Sequence, residues 1–309
     1  MRRLFFLVLT VLAVVYCSGC AGTVDKQNDA AKKQSYVVQD VRGKKLSFES
    51  KPQKIISLYV YGDEVLLGLV DHKRIAGLSK WVHDEDLAMG AKEAKDVTKI
   101  AESNPEAILA LKPDLVLLPD SSKPEQISSL EDVGIKVFVY PAASRLSNIP
   151  KTIKAIGGAV GEPEQAEKLI AEMQKKNSAV EAKVKKMQPE DRKKGLLFLR
   201  FGAIGGKGII FNDIMTAAGV EDCYEAARHT IADKPGTSRI LSKEEVVQAN
   251  PDYIIIGTWS QGGAYKSGNA QLEELYSDPA LATVTAVKKK QAIIIPQGYV
   301  NCLSQHAAD

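Results

Sequence analysis

The side chains best suited to chemistry in this chain are rings and cations, not nucleophiles. Tyr59 and Tyr61 end one β-rich run, Lys80 and Trp81 follow a second, and Arg200 with Phe201 ends a third. Arg239, Trp259, Gln297 and Tyr299 stand at comparable places further on. Aromatic faces cover apolar surface, and arginine forks bond carboxylate-like oxygens. The set therefore reads as a recognition surface for a bulky, partly anionic small molecule, with Arg200 first among the cations. The only two tryptophans of the chain, Trp81 and Trp259, both fall in the set; a local core plug is the competing reading for each. Covalent chemistry lacks its parts. No serine is flanked by glycines as a nucleophile elbow requires. The four histidines, at 72, 83, 229 and 306, are scattered, unlike the ligands of a zinc or manganese site. Apart from Cys17 and Cys20 near the start of the chain no CxxC occurs, so zinc-ribbon and dithiol redox chemistry have no support in the rest of it.

The glycine-rich loop Gly202-Ala203-Ile204-Gly205-Gly206-Lys207-Gly208 brings phosphate binding to mind, but its spacing fails. A Walker loop would need glycine where Phe201 stands and serine or threonine at Gly208. A dinucleotide fingerprint would need a small residue at Phe211. The glycines instead predict a tight turn that brings backbone near the recognition surface.

Positioning these residues requires strands that end beneath them. Lys54 to Tyr61, Ile75 to Leu78, Leu115 to Leu118 and Lys136 to Tyr140 read as strands. They alternate with helical stretches at Asp63 to Leu69, Pro105 to Leu111, Glu125 to Val133 and Ile149 to Val160. The pattern restarts with strands at Gly195 to Phe201, Tyr253 to Ile256 and Ala292 to Ile295, and helices at Ile209 to Ala218, Lys243 to Gln248 and Gln271 to Tyr276. Such alternation predicts an α/β fold with mainly parallel sheets covered on both faces. In open sheets of this kind ligands sit beyond the carboxyl ends of the strands. That rule selects the loops carrying Tyr59, Tyr61, Trp81, Asp120 to Ser122, Arg200, Thr237 to Arg239, Trp259 and Tyr299.

Between the two halves lies Pro163 to Met187, with apolar residues at Ala166, Leu169, Ile170, Met173, Val180, Val184 and Met187. The spacing is helical, and Pro163 suits a first helical turn. Glu106 to Leu118 and Glu244 to Ile256 share one pattern: a glutamate, a helical stretch, Pro-Asp, and a four-residue apolar strand. Two copies around one long helix predict two related lobes: 36–161 and 189–309, joined by a bridging helix over 162–188.

The start of the chain is a separate matter. Arg2 and Arg3 precede the short apolar run Leu4 to Tyr16, the pattern of an export signal. Cys17-Ser18-Gly19-Cys20 resembles a lipobox, which implies a diacylglyceryl group on Cys20 and an extracytoplasmic, membrane-anchored protein; Cys17 occupies the place usual for leucine. An ordinary cleaved secretory signal is the alternative. Residues 21–35 are polar and read as a tether. Taking Arg2 and Arg3 from the 41 basic residues leaves 39 against 38 acidic ones, a balance that argues against a dedicated nucleic-acid binder. Cys223 and Cys302 remain beyond the signal, in a compartment where a disulfide is allowed.

Taken together, the lipobox, Pro52-Gln53-Lys54-Ile55-Ile56-Ser57-Leu58, Asn104 to Val116 and the Ala286-Val287-Lys288-Lys289 stretch resemble the substrate-binding proteins of bacterial ABC importers for iron–siderophores, haem and cobalamin. The resemblance covers about residues 36 to 300. It implies two α/β lobes joined by one rigid helix, a ligand in the cleft between them, and no catalysis. A ferric-siderophore-type chelate leads, with cobalamin or haem as alternatives, and no cofactor of the protein's own is expected. His229 is a candidate axial ligand if haem is the cargo, against an ordinary polar loop histidine. The resemblance further implies a permease dimer with ATPase subunits as partner, docked through Glu106 and Glu244, and a monomeric binding protein. The family usually closes with a C-terminal helix after the last strand, for which no stretch is present before Asp309.

Overall fold

The computed structural model describes residues 35–101, 104–205, 209–224, 239–259 and 267–309. Two sheets organise them. In the first lobe β3 (Ile55–Ser57), β4 (Ile75–Gly77), β5 (Leu115–Pro119) and β6 (Val137–Tyr140) lie in the order β4-β3-β5-β6, every pair parallel. Every residue of β5 is buried. Leu115 and Leu117 join one apolar cluster while Val116 and Leu118 join another. This is why the strand reads as a continuous apolar run: alternate side chains enter cores on opposite faces. Helices α1 (Val60–Leu69) and α4 (Ile149–Ala159) supply the first cluster; α2 (Pro105–Ala110) and α3 (Pro124–Asp132) supply the second. A hairpin of β1 (Tyr36–Gln39) and β2 (Lys45–Phe48), not anticipated from sequence, precedes the lobe.

The second sheet is mixed. β7 (Lys194–Leu199), β11 (Tyr253–Thr258) and β12 (Ala292–Pro296) are parallel, and β9 (Glu221–Asp222) adds to β7 in parallel. β8 (Gly202–Gly205) runs antiparallel to β7 and to β10 (Arg239–Ile240). The glycine stretch expected to form only a tight turn is thus a strand as far as Gly205. Its turn lies just before it, at Arg200 and Phe201. Gly202 takes φ +128, a conformation closed to residues with a Cβ. Helices α6 (Ile210–Ala217), α7 (Lys243–Ala249), α8 (Gly268–Ser277) and α9 (Thr285–Lys288) complete this lobe.

The bridging helix, α5, spans Pro163–Val184, about 33 Å at the standard rise. Only Ala166, Ile170 and Met173 are buried, all in the first lobe's core. Further along, Val184 and Met187 stand over Gly219 of the second lobe, where any Cβ would meet them at 3.1–3.2 Å.

The repeated Pro-Asp motif does the same structural work twice. Each copy's helix is followed by a residue with left-handed backbone, Lys112 (φ 51) and Asn250 (φ 43). The aspartate two residues on then holds the start of the neighbouring strand. Asp114 accepts from the N–H of Gln53 and of Lys54, at 2.6 and 3.0 Å, and Asp252 accepts from Lys194 N–H at 2.9 Å. The chain therefore repeats a helix–turn–strand unit, as the spacing predicted.

Candidate functional site

A cavity of about 580 Å³ opens at the carboxyl end of the first sheet, lined by Tyr59, Tyr61, Ser79, Lys80, Trp81 and Gln126 together with Leu58, Val60 and Ala101. Helix α1 begins three residues earlier than the sequence suggested. Tyr59 is therefore its N-cap and Tyr61 lies in its first turn, rather than both ending a strand. The two tyrosine rings lie 6.0 Å apart. Tyr59 Oη donates to Gln126 Oε1 at 3.5 Å, and Tyr61 Oη lies 3.4 Å from Ser121 Oγ, on the Asp120 to Ser122 loop. Burial pushes the Tyr61 phenol up to about 12, so it stays protonated at neutral pH. Lys80 Nζ stands 4.6 Å from the centre of the Trp81 ring, within cation–π reach.

Behind this lining sits a buried polar layer that sequence reasoning missed. Asp63 is completely buried, and its Oδ2 accepts from Ser79 N–H at 3.1 Å and from Ser79 Oγ at 2.5 Å. This anchors the wall that carries Lys80 and Trp81. Among the described residues, Asp63 Oδ1 and Tyr140 Oη are buried and have no hydrogen-bond partner. Gly62 leaves room for the Tyr140 and Ser57 hydroxyls: a Cβ there would lie 2.5 Å from Tyr140 Oη and 2.8 Å from Ser57 Oγ. Burial holds the Asp63 carboxyl well above the usual carboxylate range. Burial also raises Glu64, which accepts from Met89 and Gly90 N–H and from Ser304 Oγ. The available signal was the Asp63-Glu64 pair inside an otherwise apolar helix, two acids on a face that must be buried.

The structure brings the two tryptophans together across the lobes. Their rings meet edge to face, centroids 5.3 Å apart at 89°. Trp259 Nε1 donates to Asp84 Oδ2 at 2.8 Å. The other predicted residues of the second lobe do not join this cavity. Arg200 lies beside its own Phe201 ring and lines a separate hollow of about 420 Å³ with Phe198, Gln271 and Glu274. The short turn between β7 and β8 turns it there. Arg239 is engaged elsewhere: its guanidinium grips Glu245 with both arms, one at 2.8 Å, and sits over Tyr224. Its fork is spent on the start of α7. Tyr299 lies in the short helix α10 (Gln297–Val300) and is exposed, outside the cavity. His83 Nε2 lies 3.0 Å from Ala94 O, away from the lining. Cys223 and Cys302 are both free and buried, so the allowed disulfide is not formed. Glu106 and Glu244 are exposed, each in the first turn of its helix. Cys20, His229 and Thr237 lie outside the described residues, as does Gly206 to Gly208 of the glycine loop.

Residues 55–299 match the family model described as periplasmic binding protein. The chain belongs to the periplasmic binding protein family. It is accordingly a substrate-binding protein and not an enzyme. Among curated relatives, the uncharacterised ABC transporter substrate-binding lipoprotein YvrC of Bacillus subtilis is 27% identical over 259 residues, covering 79% of this chain and 77% of that protein. A vitamin B12-binding protein of Pectobacterium atrosepticum is 26% identical over 225 residues, covering 71% and 75%. The iron(3+)-hydroxamate-binding protein YxeB of Bacillus subtilis is 24% identical over 306 residues, covering 95% and 89%. The fold is shared with the crystal structure of the heme binding protein HmuT, at TM-score 0.69 and 22% identity over 94% of this chain and 92% of that one. Among the described residues of this family member, no helix is long and apolar enough to cross a membrane.

Proposed function

We propose that this protein is the extracytoplasmic, lipid-anchored binding component of an ABC importer, and that its cargo is a preformed ferric chelate of siderophore type held at the Tyr59–Tyr61–Trp81 cavity. The lining carries the reading. Among the described residues it offers three aromatic rings, two of them phenols, with one ammonium, the Ser79 hydroxyl and an amide. Neither histidine nor carboxylate, the donors a bare transition-metal ion would need, is among them. Rings and a single cation suit an encapsulated ion whose outer surface is organic and partly anionic. The kinship with a hydroxamate-binding relative supports this cargo; kinship with a B12-binding relative makes cobalamin the second reading, and haem the third.

The test is tryptophan emission of the full chain titrated with ferric hydroxamates, ferric catecholates, ferric citrate, cyanocobalamin and haemin. Saturable quenching by one ferric chelate at micromolar concentration or below, abolished by Tyr61→Ala and weakened by Lys80→Ala, is expected. Quenching by cyanocobalamin or haemin alone keeps the importer and replaces the cargo. No response to any of them, from a folded chain, overturns the reading.

Delivery to a permease dimer is assigned to Glu106 and Glu244. Exposed carboxylates at matching places on two related lobes can pair with arginines across an interface. Changing both to Ala is expected to abolish uptake and leave ligand affinity unaltered; normal uptake would sink the assignment.

A further inference from the structure

The two lobes meet along two seams of different character. On the α5 and α6 side, Ile210 of the second lobe is buried in the first lobe's apolar cluster. Beside it Asp213 accepts from Arg145 Nη2 and Nε at 2.6 and 3.0 Å, and from Leu146 N–H at 3.2 Å. Parting this seam would open a core and strip a buried isoleucine of its neighbours. The other seam lies at the cavity. There the segment from Trp81 to Leu87 meets the second lobe through the Trp81–Trp259 edge contact, the Trp259–Asp84 hydrogen bond, and Gly298 N–H donating to Asp86 O at 2.7 Å. Trp81, Asp84, Asp86 and Trp259 are only half-buried. Water can replace polar contacts of this kind at little net cost.

Trp81 belongs to both places: it lines the cavity and it receives the Trp259 edge. Its own wall is held from behind by the buried Asp63–Ser79 hydrogen bonds, so it stays with the first lobe. Trp259 follows β11 and moves with the second. We propose that Trp259, pinned by Trp81 and Asp84, is a latch at the cavity that parts to admit the ligand and closes after it, so that this residue sets the rate of ligand exchange. The proposal rests on the reading that this cavity holds the cargo.

Because the chain has only two tryptophans, its indole emission comes from the two partners of this contact. Trp259→Phe keeps a ring but loses the donor to Asp84; Trp259→Ala loses both; each leaves Trp81 as the sole indole. In the ligand-free chain, acrylamide quenching of Trp81 is expected to rise about twofold from the Phe to the Ala variant, with unchanged far-ultraviolet circular dichroism. In stopped-flow experiments with ferrioxamine B, cyanocobalamin and haemin, release is expected to be about tenfold faster in Trp259→Ala, the combined size of a lost ring contact and a lost hydrogen bond. Entry should quicken too, so the dissociation constant moves less than the rates. Unchanged Trp81 quenching overturns the latch. So does release at the rate of the unaltered chain. Loss of all probe binding in Trp259→Ala overturns it as well, by making Trp259 part of the binding surface. If no probe binds the unaltered chain, the cargo reading fails and the latch falls with it; unchanged quenching or unchanged release with probe binding intact overturns the latch alone.

Discussion

Single residues carry two kinds of burden here, and burial separates them. Asp63 lies buried with its carboxyl raised by desolvation, which favours the neutral acid in the folded chain. The stability this contributes is complete below the unfolded carboxyl value, about pH 4, and is lost as pH rises through the folded one. Asp63→Asn, which keeps an acceptor for Ser79 and cannot ionise, is therefore expected to raise the urea midpoint at pH 8 more than at pH 5. A midpoint difference that does not vary with pH would show that ionisation costs the fold nothing. Asp114 bears the opposite burden. It is an exposed carboxylate that accepts two backbone N–H groups at the start of β3. Asp114→Ala is expected to cost about 1–2 kcal/mol in urea denaturation, the size of hydrogen bonds to a charged acceptor discounted for exposure.

At the scale of elements, the start of α7 shows where the Arg239 guanidinium is engaged. Ser242 Oγ accepts from Glu245 N–H while the Glu245 side chain accepts from Ser242 N–H, a reciprocal cap. Arg239 closes the unit by bonding the same carboxylate, and the pairing pulls Glu245 below its usual range. Ser242→Ala is expected to cost about 1 kcal/mol of unfolding free energy. The end of the same helix is set by Asn250 in the left-handed region, where its Oδ1 also accepts from Thr285 N–H at 2.8 Å. Asn tolerates that conformation better than most residues with a Cβ. Asn250→Ala is expected to lose about 2 kcal/mol, and Asn250→Gly less, since Gly restores the backbone but not the bond. Equal losses in the two variants would mean that only the hydrogen bond matters.

For the molecule as a whole, the bridging helix is one of several ties between the lobes. Ile210, the Arg145–Asp213 pair and the closing segment all cross from one to the other. In that segment Ser304 bonds Glu64, and Lys176 of α5 bonds Asp309. Ile210→Ala is expected to cost about 2–4 kcal/mol, and the loss should appear as one transition seen equally by far-ultraviolet circular dichroism and tryptophan emission. Two separate transitions would mean that the lobes unfold independently despite these ties.

Much of this architecture was legible before any coordinates. Runs such as Leu115 to Leu118 and Ile254 to Ile256 are apolar at every position because both faces of their sheets are covered. The Pro-Asp repeat marked the two lobes because a proline after a helix leaves few backbone choices. Tyr59, Tyr61 and Trp81 could be placed at one site because parallel strands end on one side. What stayed hidden depends on contacts between residues far apart in the chain. Nothing local distinguishes Arg239, paired to Glu245 six positions on, from an arginine free to meet a ligand. Gly202 to Gly205 could be a turn or a strand until β7 and β10 stood on either side. The Asp63–Ser79 support and the meeting of Trp81 with Trp259, 178 positions apart, exist only once the chain is folded. Local pattern determines which elements form and which way their ends point; which side chains then satisfy one another is decided by packing, where burial penalises every polar group left without a partner.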